Sequence, residues 1–116
     1  MDANIRNKEF YKGKRVFITG DTGYKGAWLS AVLSELGANA TGYALKAPEG
    51  SMFESIISDL NMQHIDGDVR DYVGLEKAVM DARPEIVLHL AAQAIVKDCF
   101  DDPRYAYETN VMGTVN

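Results

Sequence analysis

The sequence predicts an α/β fold built on a doubly wound parallel sheet, of which it supplies about four strands. Short apolar segments rich in β-branched residues alternate along the chain with segments whose apolar residues recur at helical spacing. This alternation requires right-handed crossovers between parallel strands. A glycine-rich turn directly follows the first predicted strand and opens the first crossover helix.

The first strand–helix–strand unit occupies residues 15–45. Residues 15–19 predict a buried strand that stops at Gly20. The helix that follows ends at Gly37, a residue typical of helix C-termini, and residues 40–45 predict the second strand. The apolar residues that share one face of this helix are Trp28, Leu29, Val32, Leu33 and Leu36.

The middle of the chain predicts a shorter crossover and a second long helix. Residues 51–60 predict a short helix or irregular crossover, and residues 63–65 predict a brief third strand. Asp71 is expected to cap the next helix, which Arg83 and Pro84 close. The residues expected on the buried side of that helix are Val73, Leu75, Ala78, Val79 and Ala82.

The last predicted elements are a fourth strand and a final helix. Residues 85–91 are almost continuously apolar, which predicts a parallel strand covered on both faces. Asp102 and Pro103 form an N-cap and first-turn proline, so a helix should begin there. Residues 111–116 still have helical spacing, and four strands are fewer than a doubly wound sheet usually has. We therefore expect residues 1–116 to be one truncated domain.

Composition narrows the classes of partner. Twelve basic and 17 acidic residues give a net charge of −5, and no basic cluster favours nucleic acid or an anionic membrane. Cys99 is the only cysteine, which excludes an internal disulfide and, with two histidines, predicts no zinc site. Residues 1–14 lack the apolar core of a signal peptide, and no apolar run is long enough to span a membrane. These features predict a cytoplasmic protein with a small-molecule partner.

The turn after the first strand carries the pattern G-x-x-G-x-x-G. Gly20 permits a tight turn, Gly23 allows a close approach of backbone to a pyrophosphate, and Gly26 allows the helix to pack near the sheet. The N–H groups of Tyr24 and Lys25 then face the phosphates at the positive end of the helix dipole. The sequence therefore predicts a Rossmann-type dinucleotide site.

The same segment excludes a nucleoside-triphosphate P-loop, which needs Gly-Lys-Ser/Thr, because Lys25 precedes Gly26 here and an alanine follows. The identity of the dinucleotide is left open by the second strand, which ends without the acid that usually binds the ribose of NAD. Lys46 could face the 2′-phosphate of NADP or could simply be solvated.

Several motifs together resemble the extended short-chain dehydrogenase/reductase family. They are Thr19-Gly-x-x-Gly-x-x-Gly26, Gly67-Asp-Val-Arg-Asp71 and His89-Leu-Ala-Ala-Gln93. A narrower resemblance within the family rests on the runs Thr22–Leu29, Gly42–Leu45, Ala91–Gln93 and Thr109–Thr114. Within that family the chain is most similar to the sugar-nucleotide 4,6-dehydratases that act on CDP-glucose. The Lys-Gly-x-Trp-Leu run after Tyr24 is the most specific part of the resemblance.

The resemblance implies roles for residues that follow the first, third and fourth strands. Asp68 would bind the adenine amino group and Val69 would lie along the adenine ring. On the residues alone, Asp68 could instead be a solvated acid or a helix cap. The residues implied to bind the cofactor are Gly20, Thr22, Gly23, Tyr24, Lys25, Gly26, Asp68, Val69, Leu90, Ala91, Ala92 and Gln93.

Three polar residues remain outside this set. His89 lies among apolar neighbours, which predicts a hydrogen-bonded core histidine without a catalytic or metal role. Asn110 matches a family position near the cofactor but could equally lie on an exposed helix face. Asp21 stands where the dehydratases commonly carry histidine, and its charge should disfavour a nearby pyrophosphate unless the side chain faces solvent.

The resemblance implies an NAD-dependent lyase, homodimeric at full length, with a nucleotide-sugar substrate. Such an enzyme oxidises the sugar at C4 by hydride transfer to NAD⁺, eliminates water across C5 and C6 and returns the hydride to C6. No Tyr-x-x-x-Lys pair occurs in the 116 residues, so this chain alone is predicted to be inactive, with no catalytic residue of its own. An NADP-dependent epimerase or reductase and a non-catalytic binding module remain as alternatives.

Overall fold

The computed structural model describes residues 2–116 as a four-stranded parallel sheet with helices on both faces. The strands are β1 (Arg15–Thr19), β2 (Asn39–Ala44), β3 (Met62–Asp66) and β4 (Ile86–His89). The helices are α1 (Ala3–Tyr11), α2 (Tyr24–Glu35), α3 (Met52–Ile56), α4 (Tyr72–Ala82), α5 (Val96–Asp101), α6 (Pro103–Tyr107) and α7 (Gly113–Val115). A 3₁₀ turn, Ile57–Asp59, follows α3, and a π-helical turn, Glu108–Met112, joins α6 to α7.

The sheet order is β3-β2-β1-β4, and every neighbouring pair is parallel. β1 is therefore central, and the chain moves from β1 outward to β3 before it returns to pair β4 with the other edge of β1. Thr19 lies beside Tyr43 in β2 and His89 in β4, so three strands end at the same level. The predicted α/β class and the Rossmann-type parallel sheet of about four strands are confirmed.

Two clusters of apolar side chains cover the two faces of the sheet. Alternation along β1 directs Val16 and Ile18 to one face, where they pack with Leu33 of α2. Phe17 points to the opposite face, where it packs with Leu75 of α4. The sheet is thus wound on both sides by the crossover helices, as its apolar strands predict.

The buried face of α2 differs from the predicted apolar stripe. Trp28 and Val32 are about half exposed, at 52% and 49%, so their prediction as buried residues was wrong. Small residues and one leucine form the buried face instead; they are Gly26, Ala27, Ser30 and Leu33. Small side chains allow α2 to lie close to the sheet. One of them is Gly26, the third glycine of the turn.

The second long helix, α4, follows the prediction in its ends more closely than in its buried face. Asp71 is its N-cap and accepts a hydrogen bond from the Gly74 N–H, while Arg83 ends it in a left-handed conformation. Leu75 and Ala78 are buried, but Val73 is 73% exposed and was wrongly placed in the core. Asp102 caps α6 through the Tyr105 N–H, as predicted.

The fourth strand is shorter and less covered than expected. Residues 85–91 were predicted as a strand buried on both faces, yet β4 spans Ile86–His89 and Val87 is 53% exposed. The strand lies at one edge of the sheet, so one side of it carries less covering structure. α1 and α5 were not predicted, because their sequences are polar or too short to show a clear period.

No helix within residues 2–116 combines the length and apolar character that crossing a bilayer would require. The same residues contain no group of three His, Cys, Asp or Glu side chains placed to hold a metal ion.

Candidate functional site

The glycine-rich turn joins the carboxyl end of β1 to the first turn of α2. Gly20 has a φ of +78°, and a Cβ there would lie 2.7 Å from the Ala91 nitrogen, so only glycine fits. The Gly20 carbonyl accepts a hydrogen bond of 3.2 Å from the Gly23 N–H, which closes the turn. The Thr22 hydroxyl donates to the Leu45 carbonyl at 3.0 Å and ties the turn to the end of β2.

The other two glycines of the motif have different surroundings. A Cβ at Gly26 would lie 2.0 Å from the Gly20 carbonyl oxygen, so the first turn of α2 lies directly against the glycine turn. Gly23 is exposed, and a Cβ there would meet only the Gly20 oxygen at 3.4 Å. Gly23 therefore leaves open space on the outer side of the turn.

The first turn of α2 offers backbone donors to that space. Gly23 is the N-cap, and within residues 2–116 no side chain caps this helix end. The N–H groups of Tyr24 and Lys25 belong to the first turn, which lacks intrahelical acceptors. These groups and the helix dipole make the turn suitable for a phosphate.

A cavity of about 200 Å³ opens beside the turn, at the carboxyl ends of all four strands. Eight of the predicted cofactor residues line it, and they are Gly20, Thr22, Gly23, Asp68, Val69, Leu90, Ala91 and Ala92. Five further residues complete the wall, and they are Ala44, Leu45, Gly67, Tyr105 and Thr109.

The four remaining predicted residues lie outside this wall. Tyr24, Lys25 and Gly26 belong to the first turn of α2, with the Tyr24 and Lys25 side chains exposed and Gly26 buried. Gln93 follows β4, where the side-chain amide of Asn110 accepts from its N–H at 2.8 Å and donates to its carbonyl at 3.1 Å. Asn110 thus fixes the backbone just beyond the cavity.

Thr109 is one of the residues around the cavity, and its side chain carries a buried polar atom without a partner in the described part of the chain. Its side chain is buried, and its Oγ1 has no hydrogen-bond partner among residues 2–116. Thr109 belongs to the π-helical turn Glu108–Met112, a distortion that often occurs at functional sites. A buried hydroxyl without a partner costs free energy.

His89 organises the end of β4 through a directional chain of hydrogen bonds. The Thr19 hydroxyl accepts from the N–H groups of Leu90 and Ala91, which leaves its own proton for His89 Nδ1 at 2.6 Å. His89 Nε2 is 3.1 Å from the Thr114 hydroxyl. His89 is hydrogen-bonded as predicted, but its placement in the core was wrong, because the residue is exposed at the sheet edge.

The sequence matches a family of known enzymes over most of its length. The profile of the family described as GDP-mannose 4,6 dehydratase matches residues 17–116. The chain belongs to this family. A CDP-glucose 4,6-dehydratase of Salmonella typhimurium is 50% identical over 112 residues, which cover 95% of this chain and 31% of that protein. A GDP-mannose 4,6-dehydratase of Vibrio cholerae is 30% identical and is matched over 29% of its length, by 88% of this chain.

Solved structures of related fold support the same assignment to the dehydratase family. An epimerase from Methanothermobacter thermautotrophicus has a TM-score of 0.84 at 28% identity, over 97% of this chain and 32% of its own. The UDP-glucose 4-epimerase of Thermus thermophilus, solved with NAD, has a TM-score of 0.75 at 30% identity, over 87% of this chain and 31% of its own. The chain thus spans about a third of these relatives, and the resemblance inferred from its motifs is confirmed.

In this member of the dehydratase family, Asp68 stands at the cavity wall in a fixed orientation. Its carboxylate accepts hydrogen bonds from the Arg70 guanidinium, the shortest at 2.7 Å, and from the Arg70 N–H at 2.9 Å. These bonds lower the pKa of Asp68. The Tyr43 hydroxyl donates to the Asp68 carbonyl, and the Arg70 guanidinium lies 4.7 Å from the centre of the Tyr105 ring.

Replacing Asp68 with asparagine is expected to lower the free energy of unfolding by at most about 1 kcal/mol at pH 7, because the ion pair is partly exposed. The lowered pKa means that this stabilisation is present above the ordinary aspartate pKa near about 4 and is lost as pH falls through the folded-state value. Urea unfolding at pH 7 and about pH 3 measures the difference between wild type and variant, which should shrink in acid.

The matched control is Asp81→Asn, which removes the acid of the more exposed Lys77–Asp81 pair and should cost less than about 0.5 kcal/mol at either pH. A difference between wild type and Asp68→Asn that is unchanged in acid would contradict the assigned ion pair.

The orientation of Asp21 corrects a second expectation for this family member. Its charge was expected either to lie near the pyrophosphate or to face solvent. The side chain is instead fully buried beneath the glycine turn, where its Oδ2 lies 2.7 Å from His64 Nδ1. Neither residue lines the cavity.

The cavity residues missed by the sequence analysis come from two places. Ala44, Leu45 and Gly67 follow β2 and β3, and their position at the carboxyl edge of the sheet is a signal that topology alone provides. Tyr105 and Thr109 come from the helix after β4, and only the packing of that helix brings them to the cavity.

Proposed function

We propose that residues 1–116 form the NAD-binding part of a longer sugar-nucleotide 4,6-dehydratase that acts on CDP-glucose. The observation that supports this proposal most is the cavity at the carboxyl ends of the four strands, beside the glycine turn and the uncapped first turn of α2. The 50% identity to a CDP-glucose 4,6-dehydratase supports this substrate over other nucleotide sugars.

The fit of a dinucleotide rests on three features of the described residues. The outer side of Gly23 has space that any side chain would reduce, and the adjoining helix turn carries uncapped donors. Asp68 lies at the cavity wall, where its carboxylate, held by Arg70, can accept a further hydrogen bond.

In the proposed enzyme, residues of this chain bind and orient the cofactor. The Gly23 turn and the N–H groups of Tyr24 and Lys25 hold the pyrophosphate, while Asp68 accepts from the adenine amino group and Val69 contacts the adenine ring. Ala91 and its neighbours from Leu90 to Gln93 border the nicotinamide side. When bound, NAD supplies the acceptor for hydride from C4 of the sugar and the donor that returns it to C6.

The groups that move protons on the sugar are proposed to lie outside these 116 residues. The sequence contains no Tyr-x-x-x-Lys pair, and the matched relatives are about three times as long. We therefore expect residues 1–116 to bind the cofactor without turnover, and the longer protein to act as a homodimer. The single Cys99 and the absence of disulfides fit a reducing cytoplasm.

The experiment is an assay of the full-length protein with CDP-glucose and NAD. We expect a 4-keto-6-deoxy sugar product, detected by its ultraviolet absorbance in alkali, and no net reduction of NAD. GDP-mannose, UDP-glucose and NADP serve as controls that should support much lower rates. A C4 epimer without a keto-sugar would favour the epimerase alternative, and binding without turnover of any of these sugars would favour the non-catalytic module.

A further inference from the structure

A buried acid and histidine lie in contact beneath the glycine turn, outside the cavity wall. Asp21 is fully buried, and its Oδ2 is 2.7 Å from Nδ1 of His64 on β3. Gly42 of β2 makes room for this contact, because a Cβ there would lie 1.8 Å from Asp21 Oδ2. The turn therefore places a carboxyl group over Gly42 of β2, next to His64 on the paired strand β3.

The second ring nitrogen of His64 also faces a carboxylate. His64 Nε2 lies 3.0 Å from Oδ1 of the exposed Asp66, and the Phe53 ring of α3 packs edge-on at 4.9 Å. An ionised carboxylate can only accept hydrogen bonds. Both contacts are satisfied together only when His64 carries a proton on each nitrogen or shares one with Asp21.

Because Asp21 is buried, the free energy of this pair depends strongly on its charge state. Burial raises the pKa of Asp21, while the hydrogen bond and charge of His64 act in the opposite direction and Asp66 adds to the increase. Asp21 Oδ1 has no hydrogen-bond partner within residues 2–116. A buried carboxylate without compensation is expensive, so Asp21 and His64 are stable as a neutral pair that holds one proton between them.

We propose that Asp21 and His64 are positioning residues for dinucleotide binding, and that loss of their shared proton weakens that binding. Asp21 lies between Gly20 and Thr22 in the turn, so its anchor on His64 sets the backbone that faces the pyrophosphate. Without the shared proton, a net negative charge remains beneath the site of a second anion. This inference rests on the proposed binding of a dinucleotide by the turn.

The first test is calorimetry of NAD binding to the full-length protein between about pH 6 and pH 9. We expect the Kd of the wild type to rise about tenfold across this range. Asp21→Asn keeps an oxygen that can accept from His64 but removes the charge. The Kd of this variant should therefore change by less than about twofold over the same pH range. If Asp21 and His64 had only a structural role, the Kd of the wild type would be as independent of pH as the Kd of this variant.

Two further variants test the coupling. His64→Gln removes the charge and the hydrogen bond that compensate the buried Asp21 carboxylate, and it should raise the Kd about tenfold near neutral pH. The double variant Asp21→Asn/His64→Gln should recover most of that loss, since no buried charge remains. Asp81→Asn is the control, because its carboxylate is exposed and pairs with Lys77 on α4, and it should change the Kd less than about twofold.

A ligand-free measurement separates this inference from the proposed function. Nitrogen-15 NMR of labelled histidine should show both His64 nitrogens protonated or sharing a proton near neutral pH, and Asp21→Asn should alter that signal. NAD binding that is unchanged from about pH 6 to pH 9, or a neutral His64 tautomer insensitive to Asp21→Asn, would overturn the inference alone. Failure of the wild type to bind NAD at every pH would overturn the proposed function as well.

Discussion

Replacing Gly23 with valine is expected to abolish NAD binding by the full-length protein and to leave its fold intact. Gly23 is exposed with a φ of −73°, and a Cβ there meets only the Gly20 oxygen at 3.4 Å, so the protein itself tolerates a side chain. The branched side chain would occupy the space proposed for the pyrophosphate. Calorimetry should show a Kd at least about 100-fold higher.

Gly23→Ala provides a graded comparison, because its single methyl group should weaken binding less than valine does. Thermal unfolding of both variants should stay within a few degrees of wild type, which separates loss of binding from loss of structure. Unchanged affinity in the valine variant would remove the glycine turn from the binding site.

Replacing Gly26 with alanine is expected to cause a large loss of stability, unlike the changes at Gly23. A Cβ at Gly26 would lie 2.0 Å from the Gly20 oxygen and 2.7 Å from the Asp21 Cα. Both atoms are backbone, so α2 would have to move away from the turn and from its packing on the sheet. We expect the free energy of unfolding, measured with urea, to fall by about 3 kcal/mol or more.

The matched control for this change is Gly50→Ala. A Cβ at Gly50 has no atom within 4 Å, although its φ of +72° imposes a conformational cost of about 1 kcal/mol. A loss at Gly26 no larger than the loss at Gly50 would contradict the close contact between α2 and the glycine turn.

Local patterns predicted much of the fold because the forces that define them are local. Asp71 and Asp102 each cap a helix through the N–H group three residues further along the chain, so their sequence context was sufficient. The exposed positions of Trp28 and Val32 could not be predicted in this way. They depend on how closely α2 approaches the sheet, which its small residues Gly26 and Ser30 decide.

In the candidate site, too, the features set by local sequence were predicted and those set by packing were not. Residues of the glycine turn and those after β4 were found from motifs, and most of them line the cavity. The sequence analysis missed the inward orientation of Asp21. This orientation depends on the space above Gly42 and on the ring of His64, and these residues belong to two other strands. No pattern within one segment carries that information.

The central position of β1 also governs when the sheet can be completed during synthesis. Thr19 pairs with Tyr43 on one side and with His89 on the other, so one edge of β1 can be filled well before its second partner is translated. At about 5–20 residues per second, the ribosome needs several seconds to deliver the missing strand. During that interval the nascent chain exposes the unpaired backbone of β1, a strand that is almost fully buried in the finished sheet, and such unpaired strand edges are prone to aggregation.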